Sequence, residues 1–307
     1  MKIYRSVLDL IGNTPIVQLN KLPDPNGAGV YMKLESYNPG GSVKDRAAFN
    51  MIEQAERDGK LIPGKSTIIE PTSGNTGIGI CMVSAVKGYR CIITMPDNAT
   101  KERIKIMKAY GAEVILTPAS QRMQGAIDEA NKIASNIPNS FIPMQFENEA
   151  NSDAHRETTA VEILESFDGK LDALVLTAGT GGTVTGAGEE LKKQIPDLKI
   201  YVVEPKGSPV LSGGQPGPHK IPGTGPGFIP KILNQEIFDE ILHIEDEDAQ
   251  QMARYLAAKE GIFVGASGAA SAYFAIQIAK ELPESARVLS IAPDTGERYL
   301  SSDLFPE

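Results

Sequence analysis

A glycine-containing segment, Asn38-Pro39-Gly40-Gly41-Ser42-Val43-Lys44-Asp45-Arg46, follows a short apolar run at 30–34. Apolar side chains then recur at helical spacing, at Val43, Ala47, Met51, Ile52 and Ala55. With Ser42 predicted as the N-cap, Lys44 lies in the first turn, among unpaired N–H groups at the positive end of the helix dipole. A cation is unfavourable there, which favours the neutral amine that a Schiff-base lysine requires. Taken alone, such a segment is more often explained by a surface lysine at a loop-to-helix junction.

The composition indicates an ordinary folded protein, with 307 residues of which 41% are hydrophobic and 22% charged. The length predicts roughly two domains of about 150 residues each. A net charge of -9 argues against a broad nucleic-acid surface but allows a local pocket for one small anion. No apolar run reaches the roughly 18 residues of a membrane span. Since the N-terminal residues also lack the apolar core of a signal peptide, we expect a cytoplasmic protein.

The cysteines and histidines form no pattern typical of a metal site. Cys81 and Cys91 are too few for a disulfide framework or a thiolate zinc site. His155, His219 and His243 are scattered along the chain without metal-ligand spacing. We therefore expect no metal.

Short apolar runs alternate with amphipathic segments along most of the chain. The runs lie at 67–69, 91–94, 113–116, 173–176, 200–203 and 288–291. This alternation predicts an α/β protein with two domains, each a mostly parallel twisted sheet flanked by helices. In such sheets ligands bind at the carboxyl ends of the strands.

Two loops that follow predicted strands are suited to anions. The loop at 71–77 precedes a helix of small residues, where backbone N–H groups can hold an anion and Asn75 can bind a planar polar ligand. The loop at 179–186 has four glycines and three threonines, so its backbone can wrap one phosphate group at a helix N-terminus. Either loop alone is also explained by a tight turn between packed layers.

The sequence of the loop at 179–186 does not match the known nucleotide-binding motifs. A G-x-G-x-x-G fingerprint would need its third glycine at Val184, although Glu204 stands where the ribose-binding acid is expected. No Gly-Lys-Ser/Thr of a Walker motif occurs. A single phosphate therefore suits this loop better than a pyrophosphate.

A third irregular region lies at 212–227, where ten of sixteen residues are Gly or Pro. A loop this long in a compact domain is usually functional or disordered. Because proline restricts the backbone, we expect an ordered wall of the substrate site.

These features together fit pyridoxal 5'-phosphate. Lys44 would bind the aldehyde, the loop at 179–183 would bind the phosphate, and Asn75 would contact the ring hydroxyl. No other common cofactor needs an imine-forming lysine, a one-phosphate cradle and a hydroxyl-rich anion loop.

Six motifs resemble the cysteine synthase/cystathionine β-synthase family of fold-type II pyridoxal-phosphate enzymes, and O-acetylserine sulfhydrylase in particular. They lie at 11–15, 38–46, 72–77, 144–146, 179–183 and 296–301, and the likeness runs from Leu10 to Ser302. The resemblance implies that Lys44 holds the cofactor and acts as the acid–base group.

The resemblance also implies two sets of binding residues. The cofactor set is Lys44, Asn75, Gly179, Thr180, Gly181, Gly182, Thr183 and Ser267. The substrate set is Thr72, Ser73, Gly74, Asn75, Thr76, Gln145, Gly223 and Thr224. The domains implied are an N-terminal domain at 35–145, with a mobile subdomain at about 87–135, and a C-terminal domain of 1–34 plus 146–307. The family also implies a homodimer.

Two departures from the family pattern bear on the site. The stretch at 265–270 is one residue shorter than the family's Gly-Ile-Ser-Ser-Gly-Ala-Ala, so Ser267 is the candidate partner of the pyridine nitrogen. Asp294 is the alternative, and would hold the ring protonated. Thr224 adds a hydroxyl where the family pattern has none, near the expected substrate side chain, which leaves the substrate open.

The reaction implied is β-replacement, forming L-cysteine from O-acetyl-L-serine and sulfide through an aminoacrylate intermediate. Alternatives within this chemistry are a cystathionine β-synthase-like reaction and a cysteine-desulfurating or lanthionine-forming one. Serine and threonine dehydratases share Ser-x-Lys-x-Arg, here Ser42, Lys44 and Arg46. Two alternatives do not involve β-replacement. One is a nucleotide-dependent dehydrogenase, and the other is a non-catalytic homologue that binds the C-terminal peptide of serine acetyltransferase.

Overall fold

The computed structural model describes residues 3–305. Its strands are β1 (Ile16–Gln18), β2 (Gly29–Leu34), β3 (Thr67–Pro71), β4 (Arg90–Pro96), β5 (Glu113–Thr117), β6 (Ser140–Phe141), β7 (Ala173–Thr177), β8 (Lys199–Pro205), β9 (Glu240–Ile244) and β10 (Arg287–Ala292). Its α-helices are α1 (Lys44–Arg57), α2 (Asn75–Lys87), α3 (Lys101–Ala109), α4 (Arg122–Asn136), α5 (Ala150–Ala154), α6 (Ala160–Phe167), α7 (Gly182–Gln194), α8 (Asp246–Tyr255) and α9 (Ala266–Glu281). Two π-helical segments, His155–Thr159 and Leu256–Glu260, lie directly before α6 and directly after α8.

The chain divides into two compact units. The first contains the N-terminal segment up to Ile11 together with Asn38–Asn151, and the second contains Gly12–Tyr37 and the chain from Ser152 onward. The sequence prediction had placed the N-terminal segment with the C-terminal domain. The apolar side chains of Leu8 and Ile11 pack instead against the core of the first unit.

The first unit is built on a four-stranded parallel sheet in the order β5-β4-β3-β6. Alternate residues of β3 and β4 point to opposite faces, as strand geometry requires. Ile68 and Ile93 join a core with α1 and α2, whereas Ile69 and Ile92 pack with Ala130 of α4. Both faces are therefore covered by helices, which explains why these strands read as continuous apolar runs.

The second unit is built on a six-stranded sheet in the order β1-β2-β10-β7-β8-β9. Its pairs are parallel except β1 with β2, which is antiparallel. Along β7, Ala173 and Val175 face a core shared with α8 and α9, and Leu174 and Leu176 face one shared with α6 and α7. The predicted fold class, two mostly parallel sheets flanked by helices, is confirmed.

None of the helices in the described part of the chain is long and apolar enough to cross a membrane. The loops at 72–74 and 178–181 follow β3 and β7 directly and lead into α2 and α7. Both predicted anion loops thus lie at the carboxyl ends of parallel strands, the position expected for ligand loops.

Candidate active site

Lys44 is the first residue of α1, as predicted, and is half-buried. The N-cap is Val43 rather than Ser42, although the Ser42 hydroxyl still accepts the backbone N–H of Lys44 at 3.3 Å. The Asp45 carboxylate is buried and accepts the backbone N–H of Gly40 at 2.6 Å. A Cβ at Gly40 would lie 2.5 Å from that carboxylate, so glycine is required there. These contacts hold the loop that presents Lys44.

Helix α1 packs closely on α2, which carries Asn75 at its first position. A Cβ added at Gly79 would lie 3.1 Å from both the Lys44 carbonyl oxygen and the Ala48 Cβ. The small residues of α2 therefore allow the start of α1 to approach it. This close packing relates the Lys44 backbone to the loop at 72–76 within the first unit.

The loop at 72–76 and Gln145 form one hydrogen-bonded group. The Thr76 hydroxyl donates to Oε1 of Gln145 at 2.5 Å, and the Thr72 hydroxyl accepts the Gly74 N–H at 3.2 Å. Thr76 and Gln145 are buried, while Ser73, Gly74 and Asn75 are half-buried. Because Oε1 of Gln145 accepts the Thr76 hydroxyl, the N–H groups on Nε2 are the donors that this amide can offer. The structure thus joins Gln145 to the predicted loop.

Glu70, at the end of β3, is a residue that sequence reasoning missed. Its buried carboxylate accepts the backbone N–H of Met144 at 3.2 Å and that of Gln145. Burial raises the pKa of Glu70 to about 8. Met144 has a left-handed φ of 58°, and Asn151 donates to the Gln145 carbonyl at 2.8 Å. The Gln145 backbone is therefore held from two sides.

The glycine loop at 179–183 connects β7 to α7 in the second unit. A Cβ at Gly179 would lie 2.2 Å from the Gly223 carbonyl oxygen. Gly181 has a φ of 89°, and its Cβ would lie 2.8 Å from the Leu233 Cβ. Side chains are thus excluded at Gly179 and Gly181, and the first N–H groups of α7 follow the turn directly, as in phosphate-binding loops.

The region at 212–227 is irregular, as predicted, and contains no helix or strand. The Thr224 hydroxyl donates to the Ala178 carbonyl at 2.9 Å, and the Gly225 N–H donates to the same oxygen at 3.1 Å. The proton that we expected near the substrate is therefore committed to the backbone beside the glycine loop. Gly223 and Thr224 lie next to Gly179 as a result.

Ser267 and Asp294 both lie near the N-terminus of α9. Ser267 is the second residue of that helix and is 4% exposed. Asp294 accepts the Tyr299 hydroxyl at 2.6 Å. A Cβ at Gly265 would lie 2.4 Å from the Asp294 carboxylate. Tyr299, from the predicted closing motif, therefore gives Asp294 a protein partner.

Glu204, which occupies the place of a ribose-binding acid, has a different role. Its buried carboxylate accepts the N–H groups of Leu211 and Ser212 at 2.9 and 3.1 Å, and the Ser212 hydroxyl at 2.5 Å. It anchors the start of the irregular region. No group of three or more His, Cys, Asp or Glu side chains in the described residues could hold a metal ion.

Comparison with known proteins extends over almost the whole chain. A family model described as "Pyridoxal-phosphate dependent enzyme" matches residues 7–294. The chain is 58% identical over 308 residues to a probable cysteine synthase of Bacillus subtilis (strain 168), covering 99% of each. It is similar to the crystal structure of a cysteine synthase (OASS) from Entamoeba histolytica, with a TM-score of 0.95, 46% identity and coverage of 99% and 91%. A crystal structure of an O-ureido-L-serine synthase gives a TM-score of 0.95, 42% identity and coverage of 99% and 96%.

Proposed function

The chain belongs to the pyridoxal-phosphate dependent enzymes, and from this membership we propose that it forms L-cysteine and acetate from O-acetyl-L-serine and sulfide. The observation that carries the proposal is the 58% identity, over 99% of the chain, to a probable cysteine synthase. The hydrogen-bonded group of Thr76 and Gln145 supports it, because the N–H groups of the buried Gln145 amide suit the carboxylate of an amino acid.

The residues present fit pyridoxal phosphate. Ser267 is 4% exposed at the second position of α9, where its hydroxyl lies at a helix N-terminus and suits contact with a polar ligand. The turn at 179–183 has no room for a side chain at Gly179 or Gly181 and ends at a helix N-terminus, which fits a phosphate. Lys44 would hold the aldehyde, Gly179, Thr180, Gly181, Gly182 and Thr183 would hold the phosphate, and Asn75 and Ser267 would contact the ring.

Bound pyridoxal phosphate supplies an electron sink for negative charge at the substrate α-carbon. The Nζ of Lys44 removes the proton from that carbon and later returns it, work that contributes about 10²–10⁴-fold to the rate. Thr72, Ser73, Gly74, Asn75 and Thr76, together with Gln145, bind and orient the substrate carboxylate. Because Gln145 Oε1 accepts the Thr76 hydroxyl, its Nε2 is the end that donates.

Gly223 and Thr224 form the wall beside the substrate side chain. With its hydroxyl proton donated to the Ala178 carbonyl, Thr224 keeps only the two acceptor lone pairs of its oxygen for further hydrogen bonds. This arrangement suits the small O-acetylserine side chain and offers no cation for a second carboxylate.

The test is an assay of the purified full-length chain with several substrate pairs. We expect cysteine formation from O-acetylserine and sulfide to have the highest kcat/KM. In parallel, serine with homocysteine is assayed for cystathionine. Cysteine alone is assayed for lanthionine and released sulfide. A higher kcat/KM in either parallel assay would replace the proposal by the corresponding reaction.

The resemblance supports five further proposals. The chain acts as a cytoplasmic homodimer, its segment at about 87–135 moves when substrate binds, and its active site takes the C-terminal peptide of a serine acetyltransferase. We also propose that the N-terminal domain, which contains the segment at about 87–135, extends from residue 35 to residue 145. Analytical ultracentrifugation tests the dimer, and peptide titration with cofactor fluorescence tests the docking.

A further inference from the structure

His155 is a deeply buried histidine that the proposed chemistry does not use. It is 1% exposed and is the first residue of the π-helical segment His155–Thr159. Its Nδ1 lies 2.9 Å from the Thr159 hydroxyl, and its Nε2 lies 3.2 Å from the Thr183 hydroxyl. Thr183 is the second residue of α7 and ends the glycine loop. The imidazole thus connects a helix interior to the loop proposed to hold the phosphate.

The surrounding backbone holds His155 close to α7. A Cβ at Gly186 would lie 1.9 Å from the Ser152 carbonyl oxygen, so only glycine permits the observed approach. Arg156 also pairs with Glu189 of α7 at 2.7 Å. The π-helical turn is the widened type often found at functional sites. His155 is therefore positioned rigidly beside Thr183.

The two hydrogen bonds restrict the protons of the imidazole. A neutral imidazole has one donor and one acceptor nitrogen, and each threonine hydroxyl has a single proton. If Thr159 donates to Nδ1, Nε2–H donates to the Thr183 oxygen, and the Thr183 proton is left for an anion. The opposite tautomer draws the Thr183 proton to Nε2 and turns oxygen lone pairs toward the anion, which is unfavourable.

We propose that His155 is a positioning residue that, as its Nε2–H tautomer, directs the Thr183 hydroxyl proton toward the cofactor phosphate. The proposal rests on the proposed assignment of the loop at 179–183 to that phosphate. It makes Thr159, His155 and Thr183 a relay of hydrogen bonds ending on the ligand. Charge-assisted hydrogen bonds to phosphate oxygens are stronger than neutral ones, so the relay affects affinity.

The first experiment measures the dissociation constant of pyridoxal phosphate for the full-length chain after removal and readdition of the cofactor. His155→Leu removes the Nε2–H donor, and we expect affinity to fall by about 10- to 100-fold. His155→Gln places an amide N–H near the Nε2 position and should keep affinity within about threefold. Equal affinities for wild type and His155→Leu would overturn the proposal, as would equal losses in both variants.

A double-mutant cycle separates the relay from a general packing defect. On a Thr183→Val background the hydroxyl is absent, so His155→Leu should have little further effect. Full additivity of the two losses would overturn the proposal. Thr159→Val is expected to weaken binding with His155 intact, whereas its matched control Thr159→Ser keeps a hydroxyl and should keep affinity.

Nitrogen-15 NMR of histidine-labelled holoenzyme reads the tautomer without any substitution. A protonated Nε2 and an unprotonated Nδ1 on His155 are expected, and the reverse assignment would overturn the proposal. The phosphorus-31 shift of the bound phosphate should move in Thr159→Val. These readouts do not depend on turnover, so failure of cysteine formation in the assay of the proposed function leaves this inference separately testable.

Discussion

The hydroxyl of Thr76 donates to the side-chain oxygen of Gln145 at 2.5 Å, across 69 positions of sequence. This bond fixes which end of the Gln145 amide donates, and it joins the start of α2 to the segment after β6. The orientation of the Gln145 amide, which we propose donates to the substrate carboxylate, thus depends on the Thr76 hydroxyl.

We expect Gln145→Leu to lower kcat/KM for O-acetylserine by about 10- to 100-fold, since a donor to the substrate carboxylate is lost. Thr76→Val should produce a smaller loss in the same direction, because the amide can then rotate. Thr76→Ser keeps the hydroxyl and serves as the control. Steady-state kinetics with varied O-acetylserine measure these effects, and unchanged kcat/KM in Gln145→Leu would remove Gln145 from the substrate site.

Replacement of Lys44 by Ala should abolish turnover, because Lys44 is proposed to hold the cofactor and to move the α-proton. Borohydride reduction followed by mass spectrometry should find the cofactor on the peptide that contains Lys44. Lys60→Ala is the matched control, since Lys60 is exposed and pairs with Asp58. A Lys44→Ala protein with a near-normal rate, in the absence of added amine, would contradict the assignment.

Glu70 should make stability depend on pH. Its pKa is raised from 4.5 to about 8 by burial, so the folded chain binds more protons than the unfolded chain between these values. The contribution of Glu70 to stability is therefore fully present below about pH 4.5 and is lost as pH rises through about 8. For one group this loss is at most about 1.4 kcal/mol per pH unit.

Glu70→Gln should abolish this dependence while keeping an oxygen that accepts one backbone N–H. We expect the difference in unfolding free energy between the two proteins to change with pH in the window from 4.5 to about 8. Urea denaturation at several pH values measures it. Parallel curves for both proteins across this window would show that Glu70 does not titrate there.

Ser267 and Asp294 can be distinguished as partners of the pyridine nitrogen. Ser267→Ala should alter the absorption spectrum of the holoenzyme and lower kcat, because the hydroxyl that we propose contacts the ring is lost. Asp294→Asn should chiefly lower the melting temperature, since Asp294 accepts the Tyr299 hydroxyl. A spectral change in Asp294→Asn with none in Ser267→Ala would reverse the assignment.

Much of the architecture was predictable from local sequence. Apolar runs at 67–69, 91–94 and 173–176 are strands in the structure, because strands covered on both faces need apolar residues at consecutive positions. The position of Lys44 at a helix start and the glycine turn at 179–183 could also be predicted from the sequence. Each depends on residues adjacent in sequence, whose conformational preferences are local.

The tertiary structure alone determined the pairings between distant residues. Glu70 meets the Met144 backbone across 74 positions, His155 meets Thr183 across 28, and Thr224 meets the Ala178 carbonyl across 46. No local pattern predicts these contacts, because each depends on how separate elements pack. The sequence by itself therefore determined the class of fold and the candidate groups, and packing decided which way their protons and carbonyls point.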